Sequence, residues 1–568
     1  DGRVVVSMRD RAAVEVFEPS RGVASALTRL CKVAVAAEPT GLAVTPDGAT
    51  LLVASRWGHA LTALGTRDMD VRFVATLPRD PRAVVTSSDG KKAFVAHAVG
   101  SALTIVDLDG ERTRTTELRD RQARERHRPG TWETIAADDP RARPLELGDR
   151  QERQLVRLTM NGDRRLFHEG AKFVAVRDQR PSQGYAIVRS AAGHVLLPEA
   201  LVDVGNGVRS RGYGEAQSAF GDVAAIDEGT EKRMARPAFD GRAGDCLLPR
   251  SAAIDPSTDE LVVACAGLDE IVVYDAKRDA PHDKELRRHP VPAGPTGVAV
   301  DDRRRAVVWS EFARALSVVE LWRAKGPGTK TLRVDGASGL SASAERGRVL
   351  FHESGERVAF DGRACASCHP DGRDDALTWT TPDGPRQTPM LVGRLEGTAP
   401  YGWTGASRDL REHLRHTFDR LAGKGLSARE QDDVFAYVAA LRTPSDRPPG
   451  DAVPNVVASA GAPPRVGPLV ARGDALFHDA DAGCATCHLG DALTDGVKHD
   501  VKSRARGDVQ AAFDTPSLRF VGRSAPYYHD GRYATLADLL RGADGAMGHT
   551  SQLSPKDQSA LVAYLESL

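Results

Sequence analysis

The chain has 568 residues, 41% of them hydrophobic and 27% charged, with a formal net charge of −1. That length suggests about three domains, and so even a charge balance excludes a broad electrostatic footprint for nucleic acid or an anionic membrane surface. No run of about 18 apolar residues occurs, which excludes a transmembrane helix recognisable by hydropathy. The sequence begins at Asp1 without a Met or an apolar leader, and a secretory peptide is expected to have been removed.

Residues 1–335 read as β-strands. Gly41 to Gly48 leads through an Asp-Gly turn into Leu51 to Ser55, and Arg82 to Gly90 leads into Ala93 to His97 and then Leu103 to Asp107. Ala252 to Pro256 is followed by Leu261 to Ala264 and Ile271 to Tyr274, and Thr296 to Val300 by Ala306 to Trp309 and Leu316 to Val319. Asp-Gly turns between short Val-rich runs are hairpin signals. The spacing from Ala43 to Ala83 is 40 positions and from Ala253 to Ala299 is 46, the length of one four-stranded propeller blade. The region resembles a YVTN-type β-propeller, for which seven blades are expected. An insertion at about 110–180 interrupts the pattern. Its Arg- and Glu-dense start, Glu111 to Arg128, reads as a solvated helical or mobile excursion, with a partner-docking surface as the sharper alternative.

After about residue 335 the texture becomes helical. Ser427-Ala-Arg-Glu430 and Ser554-Pro-Lys-Asp557 are N-cap signatures, with Pro555 suited to a first helical position. Between them Pro444 to Pro468 is rich in Pro, Ala and Gly and reads as a linker. The expected divisions are 336–445 and 469–568 for two helical domains and 446–468 for the linker.

Two pentapeptides carry the chemistry: Cys365-Ala-Ser-Cys-His369 and Cys484-Ala-Thr-Cys-His488. C-x-x-C-H is the attachment pattern of c-type haem: two thiols form thioethers to the vinyl groups and the next residue offers its imidazole to the iron. A zinc site needs four ligands, and neither motif has a second Cys/His pair at ribbon spacing. A thioredoxin-like reading lacks its βαβ context. Four of seven cysteines are thereby assigned to haem. Cys246 and Cys265 could form a disulfide in an oxidising compartment; alternatively they and Cys31 are small buried hydrophobes. Covalent haem attachment occurs outside the bacterial inner membrane, which points to the periplasm.

The two helical regions repeat five landmarks in one order. The first has Arg346 to His352, Cys365 to His369, Arg386 to Leu391, Ala399-Pro-Tyr-Gly-Trp-Thr-Gly405 and the Tyr437 helix. The second has Arg472 to His478, Cys484 to His488, Asp514 to Leu518, Ala525-Pro-Tyr-Tyr-His-Asp-Gly531 and the Tyr564 helix. This implies two cytochrome c-like, mostly α domains related by duplication. With their Thr-Pro-x-Leu and Pro-Tyr-x-(Trp/His)-x-Gly landmarks, residues 340–568 resemble the bacterial di-haem cytochrome c peroxidases, a family that includes the MauG-like tryptophan-modifying enzymes.

That resemblance implies a reactive first haem on His369, where peroxide yields a ferryl iron, and a second haem on His488 that relays electrons. Trp403 takes the position of the bridge between them. The family's sixth ligand to the second haem is a Met in peroxidases and a Tyr in MauG-like members. Here Leu540 to His549 contains Met547 and no Tyr, with His549 as competitor. From Pro370 to Glu412 there is no His, so the first iron is expected to be five-coordinate. The family's distal Gln and Glu positions fall on His413 and Gly423. His413, with His416 in reserve, is therefore the candidate general acid and base. A calcium ion between the domains is also implied. The expected activity is reduction of hydrogen peroxide with electrons from a small periplasmic cytochrome or cupredoxin. The alternatives are oxidation of a protein or small substrate, or non-catalytic electron transfer.

Overall fold

The computed structural model describes residues 2–20, 27–100, 102–109, 112–118, 120–127, 131–135, 156–158, 164–168, 172–205, 212–213, 219–234, 245–323, 329–336, 338–444 and 467–568. Residues 446–466 of the expected linker and about half of the insertion lie outside them.

The N-terminal half is a β-propeller of six blades. The second blade shows the pattern: strands Pro39–Val44, Thr50–Ser55, Ala60–Gly65 and Val71–Thr76 pair antiparallel in sequence order. Blades with the same order begin at Pro81, Pro249 and Pro295. The first blade has three strands, Val4–Met8, Ala13–Pro19 and Leu27–Ala34. The fourth is built on His194–Asp203, paired with Val188–Arg189 and Ala219–Asp227. Apolar side chains of neighbouring sheets interdigitate, as where Leu52 and Leu61 meet Val84 and Val95.

Two expectations are corrected. Six sheets, not seven, make up the propeller, and residues 119–179 form a separate small unit. In it, Asp120–His127 pairs with Lys172–Ser182, and Thr131–Ile135 with Arg164–His168. The stretch after Glu111 is strand, not helix: Thr113–Glu117 closes the third blade, where Thr-Arg-Thr-Thr supplies β-branched residues that suit a pleated edge. Cys246 and Cys265 form a disulfide, with Cα atoms 5.3 Å apart, and Cys31 is a free thiol.

The C-terminal half contains seven α-helices among the described residues. The first repeat has α1 (Ala342–His352), α2 (Cys365–Cys368), α3 (Leu410–Leu421) and α4 (Ala428–Ala440). The second has α5 (Pro468–Phe477), α6 (Leu536–Gly542) and α7 (Pro555–Ser567), with a 3-10 turn at Cys484–Thr486 in place of α2. The expected caps are present. Ser427 and Glu430 form a reciprocal capping box, and Ser554 accepts from the Asp557 amide.

The repeats share close details. Gly347 on α1 faces the Asp433 carbonyl of α4 so closely that a Cβ would lie 1.8 Å from it; Gly473 on α5 meets the Ala560 carbonyl of α7 at 2.0 Å. Glycine at both places lets the paired helices cross in contact. Phe351 and Tyr437 lie 5.4 Å apart in one repeat, and Phe477 and Tyr564 5.3 Å apart in the other. Bridges Tyr401↔Ser407 and Tyr527↔Tyr533 close the same turn after each Ala-Pro landmark. Among the described residues no helix is long and apolar enough to cross a membrane.

Candidate haem sites

α2 presents Cys365, Cys368 and His369 to a cavity with about 1480 Å³ of atom-free space, solvent at its mouth included. Its walls are largely apolar, with Phe351, Trp379, Leu391 and Leu414 among them. Burial pushes both thiols up to about 12, so they are neutral in this pocket. The His369 Nδ1–H donates to the Arg373 carbonyl at 3.2 Å, which leaves Nε2 as the ligand atom. A large apolar cavity, two neutral thiols and an oriented imidazole fit a covalently held haem. In the second repeat His488 Nδ1–H donates to the Leu493 carbonyl at 3.0 Å. Burial there raises the Cys484 thiol.

His413 and His416, both on α3, line the cavity that holds His369. Burial, then the nearby Arg420, His369 and His416, depress His413 to about 4, so its imidazole is neutral at pH 7. His416 Nδ1 is paired with the Ser407 hydroxyl at 3.1 Å. The position that resembles the family's Glu is closed: a Cβ on Gly423 would lie 2.2 Å from the Val358 carbonyl.

Trp403 also lines the cavity and joins the repeats. Its ring lies 6.3 Å from that of His529, edge to face, and these two residues hold matching positions in the two landmarks. The backbone hydrogen bonds around them are reciprocal. Gln387 N donates to the His529 carbonyl at 2.6 Å, and its counterpart Asp514 donates to the Trp403 carbonyl at 3.0 Å. Trp403 Nε1–H donates to the Gln387 carbonyl at 2.7 Å. His529 stacks on Phe513 at 3.9 Å and pairs with Asp508 at 2.9 Å. Asp508 is also bound by Arg386 at 2.5 Å.

Met547 packs into the apolar cluster of the second repeat with Cys484 and Phe477. His549 is exposed and is held through its amide to the Ala482 carbonyl at 3.0 Å. One set of metal-type ligands lies together, Cys487, Asp495 and His499 within 4.8 Å, but its cysteine belongs to the attachment motif.

Sequence reasoning missed the cationic wall of the first cavity: Arg363, Arg386 and Arg420. It also missed Tyr213, a propeller residue that lines this cavity with its hydroxyl 3.4 Å from Arg420. It missed, too, the charged loop Asp371-Gly-Arg-Asp-Asp375, whose contrast with Asp491-Ala-Leu493 was a visible signal.

A propeller joined to two C-x-x-C-H repeats that meet at one aromatic pair defines a di-haem c-type class of site. Comparison with known proteins agrees. The chain is 28% identical over 274 residues to the methylamine utilization protein MauG of Methylorubrum extorquens, covering 39% of this chain and 76% of that protein. It is 27% identical over 273 residues to the cytochrome c551 peroxidase of Pseudomonas aeruginosa, covering 38% and 78%. The C-terminal half of this chain is a homologue of these MauG and cytochrome c peroxidase proteins. A solved hydrazine synthase chain from Kuenenia stuttgartiensis matches at 16% identity and a TM-score of 0.31, covering 59% of this chain and 92% of that one. No family model matches.

Proposed function

We propose that the chain is a periplasmic di-haem oxidoreductase that reduces hydrogen peroxide at the first site with electrons relayed from the second. The observation that carries this reading is the Trp403–His529 contact, which puts one aromatic pair between two C-x-x-C-H repeats of unequal surroundings. Haem, when bound, supplies the redox chemistry and the binding site for peroxide. Cys365 and Cys368 hold one haem and Cys484 and Cys487 the other. His369 and His488 would each offer an imidazole to the haem beside them, and Met547 would offer its thioether to the second.

The chain's own groups then divide the work. Arg373 fixes the His369 ring through its carbonyl. His413 is neutral at pH 7 and accepts the first peroxide proton, then returns it to the departing oxygen. Two electrons and two protons convert one peroxide to two waters. Arg386 and Arg420, balanced by Asp508 and Asp383, give the cavity a polar wall of N–H donors where negative charge develops. Trp403 carries electrons between the repeats, and a small cytochrome or cupredoxin supplies them.

Substrate oxidation of the MauG kind is the second reading. Tyr213 favours it, since it carries an oxidisable ring from the propeller into the cavity wall. Optical and EPR spectra of the purified holoprotein before and after peroxide test the proposal. One high-spin and one low-spin haem, with the high-spin signal changing on peroxide, are expected. Two low-spin haems inert to peroxide would refute both enzymatic readings.

A further inference from the structure

The propeller grips the loop that follows the first attachment motif. The Asp371 carboxylate accepts from Arg56 at 2.9 Å and Arg82 at 2.5 Å, with Arg250 at 3.8 Å. Asp371 sits at φ 53°, a left-handed conformation that Asp tolerates. Arg82 and Arg250 both lie over the Tyr185 ring, at 4.7 and 3.9 Å. Arg373 donates to Glu38 at 2.6 Å and covers Trp57 at 4.5 Å. Arg79 binds Asp374 at 2.9 Å. The Arg56 side chain is fully buried, and Arg373 and Glu38 are nearly so.

Buried ion pairs of this kind are poor evidence for stability, because desolvation offsets much of the attraction. Their value here is geometric. The loop they hold contains the Arg373 carbonyl, the acceptor for His369 Nδ1–H. The matching loop after His488 has a half-exposed Leu489, and among the described residues the propeller makes no hydrogen bond or ion pair with it. One proximal histidine is therefore oriented from outside its own domain and the other is not.

We propose that Arg56, Arg79, Arg82 and Glu38 of the propeller are positioning residues for the first haem, acting through the Arg373 carbonyl on His369. The inference rests on the haem reading above. An acceptor held firmly on Nδ1–H fixes the ring and raises the basicity of Nε2, which favours the oxidised iron. Loosening the loop weakens that acceptor and raises the reduction potential of the first haem alone.

The test uses the full-length holoprotein with Glu38→Gln and, separately, Arg82→Met. Haem content is measured first, since an unmodified chain without haem would refute the haem reading before any variant is made. Spectroelectrochemical titration then follows each haem, and resonance Raman spectra follow the iron–histidine stretch. Expected is about a tenfold shift toward the reduced first haem, ~59 mV for one electron, with a lower iron–histidine frequency and no change at the second haem. Arg82→Lys, which keeps the charge, recovers part of the shift. If Arg82→Met loads poorly, Glu38→Gln decides, because it keeps the side-chain shape; its loss of the first haem alone would also support the grip. An unchanged first-haem potential and stretch in loaded protein, or equal shifts at both haems, would overturn the proposal.

Discussion

The two C-x-x-C-H repeats share a scaffold and differ in what covers it. Both have a close helix crossing at a glycine, a Phe–Tyr pair and a proximal His tied to a backbone carbonyl. The first is enclosed by the propeller's Tyr213, the hairpin of strands Thr378–Thr381 and Gly384–Gln387, and α3, and two further histidines line its cavity. The second keeps an exposed Leu489 and packs Met547 against its motif. The two repeats are therefore similar frames, and the neighbours that pack on each make the surroundings of the two motifs unequal.

The strongest way to break this comparison is to remove each attachment pair in turn. Cys365→Ser with Cys368→Ser should abolish peroxide turnover, whereas Cys484→Ser with Cys487→Ser should leave peroxide reactivity but stop multiple turnover. Haem stoichiometry should fall from two to one in each, with stopped-flow absorbance separating the two losses. Next, His413→Ala should slow the peroxide reaction by about 10²–10⁴-fold. Because His413 titrates at about 4, the wild-type rate should be level from roughly pH 5 to 8 and fall only toward pH 4, as the base becomes protonated.

Arg386→Met probes the seam between the repeats. It leaves the buried Asp508 without its guanidinium and should cost about 3–5 kcal/mol in denaturant melts. The exposed pair Arg541–Asp538 is the contrast: Arg541→Ala should cost less than about 1 kcal/mol.

Acid should weaken the propeller and the first repeat. Burial depresses His59 and His352 to about 3 and His97 to about 4. Each binds a proton more readily unfolded than folded. Stability is thus full above the unfolded value of about 6.5 and is lost as pH falls from there toward 4. Thermal melts across that range measure the slope. Gly423→Ala should cost about 1–3 kcal/mol, since the added methyl must displace the Val358 carbonyl.

Much of the fold was legible because its signals are local. Asp-Gly turns marked blades, Ser427 and Ser554 marked helix starts, and the C-x-x-C-H spacing marked the candidate haem ligands. Blade number was not legible, since the hairpin pattern stood out in four stretches only and the first and fourth blades form from strands outside them. The distal wall escaped for another reason. Arg386 and Arg420 are ordinary surface-type residues until Asp508 and Asp383 meet them in space.

The sequence by itself determined that two C-x-x-C-H patterns are present, that the C-terminal half repeats five landmarks and that Trp403 and His529 hold matching positions. Those are covalent or short-range facts, written in residue order. Only the tertiary structure decided that Trp403 and His529 touch, that His413 shares a cavity with His369, and that propeller residues more than 280 positions away in sequence grip the loop after His369. Desolvated charges find their partners by burial, and burial is a property of the folded chain.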